Sequence, residues 1–161
     1  MGGRGTSSTG IAFFVRQNAL SWARSQICST EYAKAARLGK WKEDNWKCNA
    51  FVIRAFNHNV IPEVIGQKSN PSTSWTTKVP YRATDFYEGK VPGFVRVKHP
   101  QPGDVCSDDH HVGIVSKPGK TISATESEVV ENEWGFRKNA KWESRFFRYV
   151  GTSKNIPKKK K

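Results

Sequence analysis

Cys48 and His111 are the residues whose types and settings best fit chemistry. Cys48 lies in Trp46-Lys47-Cys48-Asn49-Ala50-Phe51-Val52, a thiol at the opening of an apolar helix. His111 leads His111-Val112-Gly113-Ile114-Val115, an imidazole at the start of a buried strand, shortly after a Gly103-Asp104-Val105 turn. A cysteine nucleophile needs a base within reach, and the two need not be close in sequence. Regular elements supply rigidity, and their ends leave reactive groups accessible.

The helix opening has consequences for the thiol. With an N-cap at Asp44 or Asn45, Cys48 falls in the first turn. Unpaired N–H groups and the helix dipole there favour thiolate over thiol, so the expectation is a lowered pKa. The thiol should then alkylate well below about pH 8.5 and faster than the other cysteines. The same N–H groups could hold a tetrahedral oxyanion. Each residue also has a plain structural reading. A small cysteine suits a helical core position, and a histidine suits the point where a loop enters a strand. His110 is adjacent, but neighbours in extended chain point to opposite faces.

Cys28 and Cys106 complete a set of three, too few and too odd for a disulfide framework. The two could pair with each other, or both could be free. Cys106 is a weaker nucleophile candidate because no helix stands behind it. No Cys-x-x-Cys or His-x-x-x-His occurs, which argues against a metal site.

The elements around these residues follow from periodicity. Residues 12–27 repeat apolar side chains at three- and four-residue steps (Phe13, Val15, Ala19, Leu20, Trp22, Ala23, Ile27) and predict a helix. Residues 31–38 read as further helix up to Gly39, and 46–57 as the helix carrying Cys48. Residues 60–82, with Pro62, Pro71 and Pro80, predict a long loop of the binding kind. Thr84 caps a short helix to about 88. After Gly93 the period changes to two, over 94–97, 103–105, 111–115, 121–125, 128–130 and 146–150. Pro118-Gly119 fits the centre of a tight turn. Helices first and an antiparallel sheet after make an α+β fold.

A chain of 161 residues suits one domain. The expected division is a mobile Gly/Ser/Thr-rich stretch over 1–10, a single domain over 11–151, and a basic tail over 152–161. No apolar run is long enough to span a bilayer, and residues 11–15 are too short for a secretory leader. The formal charge is +13; subtracting the four terminal lysines Lys158–Lys161 leaves +9. Such a body attracts polyanions: nucleic acid, anionic lipid or an acidic wall polymer.

Taken together, Lys47-Cys48-Asn49-Ala50-Phe51-Val52, Pro102-Gly103-Asp104-Val105, His111-Val112-Gly113-Ile114-Val115 and Thr121-Ile122-Ser123-Ala124 resemble the NlpC/P60 cysteine peptidases. The related CHAP amidases and small secreted amidase toxins are similar in outline. Cys precedes His, whereas permuted acyltransferases of the same superfamily place His first. The resemblance implies a minimal papain-like fold, with N-terminal helices packed on an antiparallel sheet. It implies hydrolysis of amide bonds in peptidoglycan stem peptides, as endopeptidase or amidase, without a cofactor. An antibacterial effector of this type would be secreted or delivered to the bacterial wall or periplasm and would meet an inhibitor or immunity protein.

The family places a third polar residue on the strand after its histidine, which falls on Ser123. Hairpin geometry points elsewhere. If Pro118-Gly119 closes a tight hairpin, Glu126 stands opposite His111 and offers a carboxylate to the imidazolium. Both assignments remain open at the level of sequence. Trp46 and Trp134 are candidate substrate contacts, with core packing as the alternative for each. The competing function is a basic module binding nucleic acid or an anionic membrane, with Cys48 and His111 structural. That reading needs clustered cations and exposed aromatics, whereas the cations here are spread along the chain.

Overall fold

A computed structural model describes residues 8–36, 46–69 and 78–151. The predicted N-cap at Asp44 or Asn45, the Gly39 helix stop, the basic tail and most of the N-terminal stretch lie outside the described residues. The fold is α+β. Helices α1 (Ser8–Ser25), α2 (Cys48–Asn57) and the short α3 (Ala83–Tyr87) accompany eight strands. Strands β1 (Lys68–Ser69) and β2 (Lys78–Val79) form a small antiparallel pair inside the predicted loop. The remaining strands are β3 (Phe94–Val97), β4 (Val105–Ser107), β5 (Val112–Lys117), β6 (Lys120–Ala124), β7 (Val129–Asn132) and β8 (Arg145–Tyr149). They make one antiparallel sheet in the order β3-β8-β4-β5-β6-β7.

Helix α1 buries Ala12, Val15, Ala19, Leu20 and Ala23, steps of three and four that define one face. The predicted stripe also contained Phe13 and Ile27, which are exposed. Ala12 occupies the buried position instead, and the small residues let α1 lie close over α2 and β5. Residues 31–36 form turns rather than more helix. Two arginines tie α1 across the sheet. Arg16 Nη1 donates to the Tyr149 carbonyl at 2.7 Å, and Arg24 Nη2 to the Ser116 carbonyl at 2.7 Å. Eight residues of helix advance about 12 Å. That is close to the ~10 Å spanned by the two strand spacings from β8 to β5.

Helix α2 carries the densest burial, with Ala50, Phe51, Val52, Ala55 and Phe56 inaccessible. Phe51 meets Trp22 and Tyr32, and Phe56 meets Phe94 and Tyr149. Such aromatic pairs compensate for the modest aliphatic content. The residue before the helix, Lys47, is itself buried and donates its ammonium to the Ala33 and Lys34 carbonyls at 2.9 and 3.0 Å.

The Pro102-Gly103-Asp104 motif is a structural joint. Gly103 has φ +97°, and a Cβ there would come within 3.1 Å of the Arg16 backbone oxygen, so glycine alone fits. The Asp104 carboxylate, fully buried, accepts from Arg148 Nε and Nη2 at 2.9 and 2.8 Å and from the Gln101 N–H at 2.7 Å. A fork-to-fork pair of this kind joins β8 to the turn entering β4.

Along β5 and β6 the faces alternate. Val112, Ile114, Ile122 and Ala124 join the core beneath α1 and α2. Thr121 and, on β4, Cys106 meet the 3-10 helix Trp134–Phe136 on the opposite side, where a Cβ on Gly135 would lie 2.8 and 2.7 Å from them. The predicted hairpin register is corrected by one residue. Lys117 pairs with Lys120, but Val115 pairs with Thr121 and Ile114 with Ile122, leaving Ser116 as an extra residue. The bulge shifts every earlier pairing, so Glu126 does not stand opposite His111 and is exposed.

Candidate active site

The first residue of α2 is Cys48, capped by Lys47 with no side-chain cap. The thiol is buried, only 7% exposed, with the backbone N–H groups of Val112, Asn49 and Cys48 itself directed to its sulfur. Val112 opens β5, so the helix start and the strand start meet at this thiol. His111, half-buried, precedes Val112, and its Nε2 lies 2.9 Å from Ser123 Oγ. In the tautomer whose Nε2–H donates to Ser123 Oγ, Nδ1 is the nitrogen left to accept a proton. The sulfur and the imidazole are not hydrogen-bonded to each other in this state, as is common before substrate binds.

Gly113 makes the histidine–serine contact possible. A Cβ at this position would sit 2.8 Å from both the Ile122 carbonyl oxygen and Ser123 Cβ. Without it, β6 approaches closely enough for Ser123 to reach the ring two residues upstream. On the other side of the imidazole, the Trp134 ring meets it edge to face at 4.5 Å and 83°.

The charge state of the pair differs from the sequence expectation. Burial pushes the Cys48 thiol up from its ordinary range; the three N–H groups oppose this, and nearby Asp108 adds to it. Desolvation thus outweighs the helix N-terminus, and the expected low thiol pKa is overturned. Burial pushes His111 down, with Asp108 pulling it back up. The resting pair is therefore a neutral thiol beside a neutral imidazole. Cys106 is buried more completely and is pushed up to about 12. Cys28 is exposed and, like the other two, unpaired, so no Cys28–Cys106 bridge forms.

A cleft of about 680 Å³ opens onto Cys48, lined by Trp46, Asn49, Lys78, Arg82, Asp109 and His110 among others. Its wall is held by buried polar side chains: Asn49 Nδ2 donates to the Tyr81 carbonyl, and Ser107 Oγ to the Ala83 carbonyl, both at 2.8 Å. Gln67 and Pro80, which flank the β1–β2 pair, and Lys78 within it also line this cleft. Trp46 is 55% exposed at the cleft, with the Lys34 ammonium over its ring at 4.8 Å. Trp134 does not line this cleft and sets its ring against His111, which accords with the packing alternative the sequence left for it. Trp142, which sequence reasoning passed over, stacks on cleft residue His110 at 3.9 Å.

Sequence reasoning also missed Asp108. Its Oδ1 accepts from the N–H groups of His110 and His111, and its Oδ2 from the Trp134 indole. The signal was present in Asp108-Asp109-His110-His111, where an aspartate can accept from amides two and three residues on. Among the described residues no three His, Cys, Asp or Glu side chains gather as metal ligands, and no helix is long and apolar enough to cross a membrane.

No protein-family model matches the chain, and no curated protein or solved structure matches it.

Proposed function

We propose that this protein is a cysteine amidohydrolase of the NlpC/P60 type, with a minimal papain-like fold, cleaving amide bonds in peptidoglycan stem peptides. The observation that carries the reading is the convergence of the α2 start and the β5 start at the Cys48 sulfur, which receives the Val112 N–H beside an open cleft, with the preceding His111 bonded to Ser123. In the reaction His111 Nδ1 takes the Cys48 proton as sulfur attacks the amide carbonyl. The imidazolium then gives the proton to the departing amine, leaving an acyl-enzyme that water hydrolyses. The N–H groups at the helix start, which face the sulfur in the resting site, would receive the oxyanion. A neutral resting pair requires that proton transfer accompany attack.

Charge supports this reading over a polyanion-binding module. Arg16, Arg24, Lys47, Lys68, Arg145 and Arg148 are committed to carbonyls and carboxylates within the fold. Lys78 and Arg82 line the cleft, and their positive charge suits a carboxylate-bearing peptide. Action at the bacterial wall, as an effector delivered there and met by an immunity protein, belongs to the same proposal.

The test is incubation of purified sacculi with the protein and mass spectrometry of the soluble fraction. Peptide fragments with new amine and carboxyl ends are expected from the wild type. Sacculi left intact, or fragments unchanged when Cys48 is replaced by Ala, would remove the reading. The same assay ranks the orienting residues. Ser123→Ala is expected to slow release roughly fivefold, the equivalent of ~1 kcal/mol for one neutral hydrogen bond. Glu126→Gln should leave the rate unchanged, and the reverse order would argue that the bulge opens in solution.

A further inference from the structure

The acid–base pair lacks an obvious counter-charge. Ser123 is neutral, so it can orient the imidazole but cannot balance the imidazolium that forms when Cys48 gives up its proton. The charge must come from elsewhere in a site that burial has made poorly solvated.

Asp108 is the carboxylate placed to supply it. It is 7% exposed, and three N–H donors converge on it. Oδ1 accepts from His110 N–H at 3.0 Å and His111 N–H at 2.8 Å; Oδ2 accepts from Trp134 Nε1 at 3.3 Å. Its own N–H donates to the His111 carbonyl at 3.1 Å, which closes a tight loop through Asp109 at φ +82°. Trp134, gripped at its indole nitrogen, sets its ring against the His111 imidazole. Asp108 therefore reaches His111 by two routes, one through the main chain and one through an aromatic brace.

Among the described residues no other charged group takes this place. The imidazole is met from β6 by Ser123 and from the 3-10 helix by Trp134, while the Cys48 sulfur of α2 receives the N–H of Val112, the residue after His111. Neighbouring Asp109 is directed to His110, 3.9 Å away at the cleft, and Glu126 is exposed.

We infer that Asp108 is a positioning residue of the site: it fixes His111 and Trp134 and provides the buried negative charge that stabilises the imidazolium during transfer. The inference rests on the cysteine-hydrolase reading. It makes an unusual demand on the sign of two shifts. Removing the charge should make the imidazolium less stable and the thiolate more stable. Both His111 and Cys48 should then titrate at lower pH, in agreement with the direction in which Asp108 now acts on each.

The experiment uses the full chain with Asp108→Asn, which keeps an acceptor for the two backbone N–H groups. Asp108→Ser is the second variant, since a hydroxyl can hold the same turn without charge. His111 is titrated by NMR of its ring nitrogens, and Cys48 by the pH profile of iodoacetamide alkylation. Expected is a fall of roughly half to one pH unit in both midpoints, as for loss of a nearby charge. Trp134→Phe removes one hydrogen bond but no charge and should leave both midpoints in place. In the sacculus assay Asp108→Asn should lower kcat roughly tenfold, the counterpart of one pH unit, with KM unchanged. Folded Asp108→Asn or Asp108→Ser protein with unmoved midpoints would overturn the inference. The titrations are read on resting protein. Midpoints that move as expected in a protein inert toward sacculi would therefore remove the hydrolase reading alone, and leave the electrostatic role of Asp108 standing.

Discussion

Cys48→Ala is expected to abolish amide hydrolysis while leaving a folded protein, and His111→Ala is expected to lower turnover by about three orders of magnitude or more. The reason lies in the charge state of the pair. Burial holds the thiol up and the imidazole down, so neither is ionised at rest. Without His111 the proposed base is gone, and the residual rate depends on a rare thiolate. Losing a sulfur atom from a site at the end of a helix costs the fold little, so thermal melting of Cys48→Ala should fall by only about a few degrees. The pH profile carries a signed prediction. His111 must be neutral to act as base, so kcat/KM rises as pH climbs through its free-protein pKa. Burial places that value below the ordinary 6.5. The acidic limb should therefore lie below pH 6.5, with activity level through neutrality. Near-normal fragment release by Cys48→Ala would end the nucleophile assignment, and an acidic limb above 7 would contradict the buried neutral imidazole.

Gly113→Ala should be the most damaging one-methyl change in the sheet. The added Cβ would stand 2.8 Å from the Ile122 carbonyl oxygen and from Ser123 Cβ. Both belong to the partner strand, so relief requires opening the β5–β6 ladder rather than turning a side chain. Overpacking of this kind costs about 1–3 kcal/mol, and about 2–4 °C of melting temperature accompanies each kcal/mol in a domain of this size. The displaced strand also carries Ser123 away from His111, so activity should fall with stability. Gly66→Ala is the matched control, because a Cβ there meets nothing within 4 Å. Scanning calorimetry of the two variants decides the matter. Equal melting temperatures would mean that β6 does not press on Gly113 in solution.

Local pattern was enough to read the elements that carry the site. The three- and four-residue steps mark α1 and α2, and the change to period two after Gly93 marks the strands, because side-chain periodicity is set by backbone geometry within each element. Cys48 at a helix start and His111 at a strand start follow from those boundaries. Tertiary structure decided the rest, for reasons that no single segment contains. One extra residue at Ser116, whose carbonyl Arg24 of α1 holds, moved the β5–β6 register and put Ser123 rather than Glu126 beside the imidazole. The thiol pKa reversed direction because desolvation sums over every element packed around Cys48, whereas the helix dipole is a property of α2 alone. Trp134 went behind His111, because its indole found the buried Asp108 carboxylate across 26 residues of chain.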